Sequence, residues 1–204
     1  MKRWILAHRG RWDNEVGPNS ASSIQAAFQN GFGVETDIRD LDGQIVISHD
    51  PCLGTSYESF LDFLNAESRF AINIKSDGLL RQLRNYNELI RQSSSFVFDC
   101  SFPELLKYKQ AGIAHAVRIS EFERDIPWKP DFLWLDAFES DWWLEDETVS
   151  RQMESTPTIV VSPELHKRDQ NRVWERVLEL RSSGLDISIC TDFPDQIARL
   201  AGVE

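Results

Sequence analysis

The chain has 204 residues, a formal net charge of −11, 41% hydrophobic residues and seven tryptophans. That is material for one packed domain over residues 1–204, and it excludes a disordered chain. The negative balance opposes long-range attraction to nucleic acid or to an anionic membrane surface, so the expected partner is a small molecule in a local pocket.

The first β-rich run, Trp4–Ala7, delivers His8-Arg9-Gly10 into a loop. The apolar stretch ends at His8, too short for a secretory leader, and no apolar run reaches the roughly 18 residues of a membrane span. A cytoplasmic protein is expected. Capping-type serines then precede a helical pattern over Ser22–Gln29. In the second run, Gly33–Ile38, side chains at i and i+2 share a face, so Glu35, Asp37 and Arg39 point one way and Val34, Thr36 and Ile38 the other.

Leu41-Asp42-Gly43 then predicts a three-residue hairpin loop with Gly43 at positive φ, and Gln44–Ser48 returns antiparallel. In that register Ile47 faces Asp37 and His49 faces Glu35. A two-residue loop would slip the pairing by one and turn His49 away. Phe70–Ile74 is the third run of the main series, with Asn73 and Lys75 on one face.

Helical patterns over Leu79–Gln92, Pro103–Gln110, Arg168–Arg181 and Pro194–Ala201 alternate with the β-rich runs Phe96–Phe98, Ala114–Ile119, Phe132–Leu135, Thr158–Val161 and Ile187–Cys190. Glu121–Pro130 and Ser140–Glu154 have no clean apolar stripe and predict short or missing helices. Eight β-rich runs with crossover helices predict a (β/α)₈ barrel, smaller than the usual size of about 250 residues, ahead of a doubly wound open sheet. Cys52, Cys100 and Cys190 are odd in number and far apart, which predicts free thiols.

In a parallel barrel the loops after the strands form the active-site mouth. With helices outside, Val34 and Ile38 face them and the charged row of Glu35 and Asp37 faces the mouth. Two neighbouring buried carboxylates call for a compensating cation or hydrogen-bond donors, and a divalent metal is an economical explanation. The Asn73 amide oxygen suits the same ion, and the Lys75 ammonium suits a phosphate. With His8 and His49 as proton carriers, this is an inventory for displacement at a phosphoryl centre. Glu139 and Glu164 also follow β-rich runs and are candidate further acids for the mouth, although acids in such places more often cap surface loops. His115 opens a strand, at the end away from the mouth.

The order His8-Arg9, Glu35-x-Asp37, His49-Asp50-Pro51 and a strand ending Ile74-Lys75 resembles the signature of the glycerophosphodiester phosphodiesterases and their sphingomyelinase D relatives. The likeness continues through Ser101-Phe102-Pro103-Glu104-Leu105-Leu106 and the Gly184–Asp195 ending, and so spans nearly the whole chain. It implies a small (β/α)₈ TIM barrel of the phospholipase C-like phosphodiesterase type, with Mg²⁺ or Ca²⁺ bound by Glu35 and Asp37. It also implies an acid/base pair in His8 and His49 and phosphate contacts from Arg9 and Lys75.

Two departures stand out. The third metal-binding carboxylate of such families is Asn73 here, and the proline-glutamate-asparagine box survives as Pro18-Asn19-Ser20. The expected function is metal-dependent hydrolysis of a small glycerophosphodiester-like substrate. The alternatives are lyase-type cyclisation to a cyclic phosphate with the same residues, and a non-catalytic barrel that binds a phosphorylated ligand.

Overall fold

The computed structural model describes residues 2–52, 57–126 and 128–203. Its strands are β1 (Lys2–His8), β2 (Phe32–Leu41), β3 (Gln44–Ile47), β4 (Phe70–Ile74), β5 (Phe96–Phe98), β6 (Ala116–Ile119), β7 (Phe132–Leu135), β8 (Thr158–Val161) and β9 (Ile187–Thr191). The neighbour order is β5-β4-β2-β1-β9-β8-β7-β6, with β3 attached to β2. Every pairing is parallel except β2 with β3. First and last strands thus pair with each other, and a Val97–His115 bridge, with Val97 N donating to Ala114 O at 3.0 Å, joins β5 to β6. The result is a small, nearly closed (β/α)₈ barrel, as expected, and not an open doubly wound sheet.

Alternation along the strands builds two cores. Leu6, Ala71, Phe96, Phe98, Trp134 and Cys190 meet inside the barrel, where the Phe98 and Trp134 rings stack at 3.9 Å between centroids. Their sequence neighbours Ile5, Ala7, Ile72, Val97 and Ile189, together with Val34, join the core that the helices cover. Val34 and Ile38 therefore lie outward and Glu35 and Asp37 inward.

The helices are α1 (Ala21–Gln29), α2 (Leu80–Leu83), α3 (Asn87–Gln92), α4 (Phe102–Gln110), α5 (Glu147–Ser155), α6 (Asn171–Ser182) and α7 (Pro194–Leu200). A capping box between Ser20 and Ser23 starts α1. The expected Leu79–Gln92 helix is divided into α2 and α3 by a 3₁₀ turn at Arg84–Tyr86. The expected Arg168 start gives way to Asn171, because Lys167 adopts φ of 59° and Asp169 Oδ1 takes the Asn171 N–H.

Between β6 and β7 no helix forms among the described residues, as the missing stripe predicts. Ser140–Glu154, by contrast, does contain a helix. Asp146 caps α5 by accepting the Thr148 and Val149 N–H groups, and Val149 and Met153, one turn apart, bury the face that propensity alone does not reveal.

The hairpin is also a correction. Ile38 pairs with Ile47, Arg39 with Val46, Asp40 with Ile45 and Leu41 with Gln44, leaving a two-residue loop. Asp42 and Gly43 both take positive φ, 50° and 77°, the geometry of a type I′ turn, whose twist matches the flanking strands and which Asp-Gly favours. Ser48, not Ile47, lies opposite Asp37, with its N–H donating to Asp37 O at 3.0 Å. The strand ends at Ile47, before His49 can be placed opposite Glu35.

Gly43 remains the strained position of this turn, and nothing stands within 4 Å of an added Cβ. Gly43→Val should therefore lower stability through backbone strain alone, by about 1–2 kcal/mol. Urea unfolding measures this as a lowered midpoint at constant slope. An unchanged midpoint would show that the turn tolerates a β-branched residue.

Candidate active site

The strand ends at the C-terminal mouth bring together most of the expected residues. Glu35 and Asp37 are 2% and 1% exposed, neighbours on the inward row of β2. Asn73 lies beside Asp37 in the β2–β4 register and donates its Nδ2–H to Glu35 Oε1 at 3.2 Å. Arg9, in the left-handed region directly after β1, donates its backbone N–H to Glu35 Oε2 at 3.3 Å. The same residue lays its guanidinium Nε 3.1 Å from Asp37 Oδ2. Lys75 Nζ stands 3.4 Å from Asp37 Oδ1 and 3.4 Å from Asp99 Oδ2.

Burial, reinforced by the Asp37 charge, pushes the Glu35 carboxyl up to about 7. Arg9 and His8 counter that rise only partly. His8 donates Nδ1–H to Asp192 Oδ1 at 2.7 Å, which turns Nε2 towards Glu35 Oε2, 3.9 Å away. Burial works against the imidazolium, but the Asp192 hydrogen bond and the Glu35 charge outweigh it and hold His8 above the ordinary histidine value.

Three buried atoms at the centre lack a hydrogen-bond partner: Arg9 Nε, Asp37 Oδ1, which has only the Lys75 ion pair, and the Asn73 carbonyl oxygen Oδ1. A buried oxygen without a hydrogen bond is costly, and the two oxygens are hard donors of the kind Mg²⁺ and Ca²⁺ take. Among the described residues no group of three His, Cys, Asp or Glu side chains is placed to hold a metal ion, so an oxygen set here would have to add the Asn73 amide to Glu35 and Asp37.

His49 is placed differently. Its Nδ1 pairs with Asp50 Oδ1 at 2.9 Å, and both side chains are exposed. It nevertheless lines a cleft of about 530 Å³ together with Arg9, Asn19 and Tyr57. Glu139 is exposed on a loop whose backbone N–H groups are gathered by the Glu121 carboxylate. Glu164 accepts from Ser162 Oγ, Thr191 Oγ1 and Asp192 N, which fixes the end of β9. His115 is buried away from the mouth, paired with Asp131 and accepting from Trp128 Nε1 at 2.8 Å.

Sequence reasoning missed two residues that shape this centre. Asn19, held at φ of 54°, donates to Asp37 Oδ2 at 2.8 Å and accepts from Thr36 Oγ1 at 2.9 Å. Asp192 orients His8. Asn19 was visible in the Pro18-Asn19-Ser20 box, and Asp192 two residues after inward Cys190, but neither position has periodicity of its own to mark it as functional.

The described residues contain no helix long and apolar enough to cross a membrane, and all three cysteines are free. No protein-family model matches the chain, and no curated protein matches it. Among solved structures the chain is similar to a glycerophosphoryl diester phosphodiesterase from Parabacteroides distasonis ATCC 8503. The TM-score is 0.53 and the identity 14%, over 97% of this chain and 85% of that one. At that identity the likeness establishes the barrel fold.

Proposed function

We propose that this barrel is a metal-dependent phosphodiester hydrolase acting on a small glycerophosphodiester-like substrate. The observation that carries the reading is the buried pair Glu35 and Asp37 at the barrel mouth, flanked by Arg9, Lys75 and an Asp192-oriented His8. The fold shared with a glycerophosphoryl diester phosphodiesterase supports it.

Mg²⁺ or Ca²⁺ would be held by Glu35, Asp37 and Asn73. When bound, the ion supplies Lewis-acid polarisation of the phosphoryl oxygens. The chain's own residues do the rest. Arg9 and Lys75, already drawn to Asp37, bring two positive charges beside the site and draw a phosphodiester to it despite the overall charge of −11. Asn19 fixes the Asp37 carboxylate, so Asp37 keeps its place when those cations turn to substrate. His8 moves a proton at Nε2 while Asp192 holds Nδ1–H. His49, on the wall of the cleft that Arg9 also lines, is the second proton carrier of this reading.

The placement of His49 favours one competing reading. Its ring pairs with exposed Asp50 and with neither carboxylate, and a barrel that only binds a phosphorylated ligand has no need of a second acid/base group. Phosphorus NMR of glycerophosphodiesters incubated with the protein and Mg²⁺ or Ca²⁺ separates the cases. Appearance of a phosphomonoester, abolished by excess EDTA, is the expected result. Accumulation of a cyclic diester would assign the cyclising chemistry instead, and an unchanged spectrum together with measurable phosphate binding would assign a binding protein. Full turnover in EDTA would remove the metal from the reading.

A further inference from the structure

Opposite the β2 carboxylates, the mouth holds a second histidine–carboxylate pair that the chemistry above does not use. Asp136 follows β7, and its N–H donates to Ile119 O at 2.9 Å, so strand pairing continues past the strand's end. It therefore stands above Trp134 on the inward row, and only 8% of it is exposed. His166 Nε2 lies 2.7 Å from Asp136 Oδ1. A carboxylate only accepts, so Nε2 carries the proton, and Nδ1 is the ring nitrogen left for a ligand. Nδ1 makes no hydrogen bond among the described residues. The Phe138 ring, 4.8 Å away between centroids, packs against the imidazole and restricts its rotation.

The 3₁₀ turn Pro163–His166 links this pair to the catalytic half of the mouth. Glu164 on that turn holds the Asp192 backbone, and Asp192 holds His8. The buried Cys190 thiol, on the inward row of β9, is pushed up by burial first and then by the charges of Glu35, Asp192, Glu164 and Asp136.

We infer that His166, fixed by Asp136, recognises a hydroxyl on the alcohol moiety of the substrate, its Nδ1 lone pair accepting the hydroxyl proton. The inference rests on the phosphodiesterase reading and deepens it. The ionised oxygens of a phosphodiester only accept and cannot pair with a lone pair, whereas an alcohol O–H can, so a lone pair at Nδ1 suits the organic part of the diester. His166 is then a specificity-determining residue for hydroxylated substituents.

Calorimetric titration of the full chain at fixed Mg²⁺ with glycerol 3-phosphate, methyl phosphate and O-phosphoethanolamine tests this. Wild type should bind glycerol 3-phosphate about tenfold more tightly than methyl phosphate, the effect of one satisfied hydrogen bond to a fixed partner. In His166→Ala that ratio should fall to near one. His166→Phe keeps a ring against Phe138 without Nδ1 and should behave alike, which covers a poorly folded alanine variant. His166→Asn, whose amide donates to Asp136 and whose oxygen accepts, should restore part of the ratio.

An undiminished ratio in His166→Ala or His166→Phe overturns the inference, as does equal wild-type binding of glycerol 3-phosphate and methyl phosphate. Tighter binding of O-phosphoethanolamine than of glycerol 3-phosphate overturns the alcohol assignment in favour of an amine. If wild type binds none of the three, the phosphate-site reading itself fails and takes this inference with it.

Discussion

Removal of the imidazole in His8→Ala should lower kcat by about 10²–10⁴, a loss of roughly 3–5 kcal/mol of barrier lowering, with a smaller change in KM. The reason lies in how His8 is held. Asp192 takes Nδ1–H, the ring is part-buried, and Nε2 is directed to the Glu35 side of the mouth, where a phosphate drawn by Arg9 and Lys75 would sit. A proton carrier acts in the transition state more than in binding, so the loss belongs to kcat.

Comparing an alkyl diester with a nitrophenyl diester then separates the roles, because nitrophenolate departs with little protonation. The histidine variant that recovers on the nitrophenyl substrate is the acid, and the one that stays impaired is the base. His49→Ala run beside His8→Ala decides whether His49 shares the work. Unchanged kcat in His49→Ala would leave His8 as the proton carrier, and unchanged kcat in both would place the binding-protein reading ahead.

Asp192 gives this experiment an internal control. Asp192→Asn can still hydrogen-bond the ring, but its amide side is able to donate to Nδ1, which stabilises the tautomer with the proton on Nε2. Activity should fall while the fold persists.

Much of the barrel was legible because its strands have one covered face and one filled interior. Val34 and Ile38 against Glu35 and Asp37 set the parity of β2, and the structure keeps it. The hairpin was less legible because the same Leu41-Asp42-Gly43 run supports a three-residue or a two-residue loop, and the two differ by one position in register. The twist of a type I′ turn decided it, and the consequence fell on His49, two residues past the end of the return strand. Helix α5 hid for another reason. It has only two fully buried anchors, Val149 and Met153, in a polar segment, so its stability comes from a cap and from packing that no stripe announces.

The acid from β7 illustrates a signal that was present but unread. Extending the i+2 row from inward Trp134 leads to Asp136, not to Glu139, and the structure buries the first and exposes the second. The loop residues Asn19 and Asp192 follow no such row, and positive φ at Asn19 is a backbone state that its sequence neighbours do not dictate.

The Glu35→Gln variant should separate stability from function. In the metal-free protein Glu35 is buried next to Asp37, and burial with that like charge disfavours its ionised form, which is why the carboxyl is pushed up to about 7. Replacing it by a neutral amide removes the repulsion, at the loss of one accepted hydrogen bond from Asn73 or from the Arg9 backbone. The two effects oppose each other, so the metal-free variant should melt near or above wild type instead of several degrees below it.

Function should move the other way. Wild type with Mg²⁺ or Ca²⁺ at about 100 times its dissociation constant should gain about 2.7 kcal/mol, which for a domain of this size corresponds to a rise of roughly 5–10 °C in Tm. Glu35→Gln, with one anionic oxygen donor removed from a set that already has an amide at Asn73, should show little of that rise. Its turnover should fall by at least about 10²-fold, since the ion of the proposed reaction would lower the barrier by several kcal/mol. Thermal melts with and without the cation, run beside the NMR assay, read both halves. A variant that is markedly destabilised without metal and still gains Tm with it would mean that Glu35 is a structural acid and that the cation binds elsewhere.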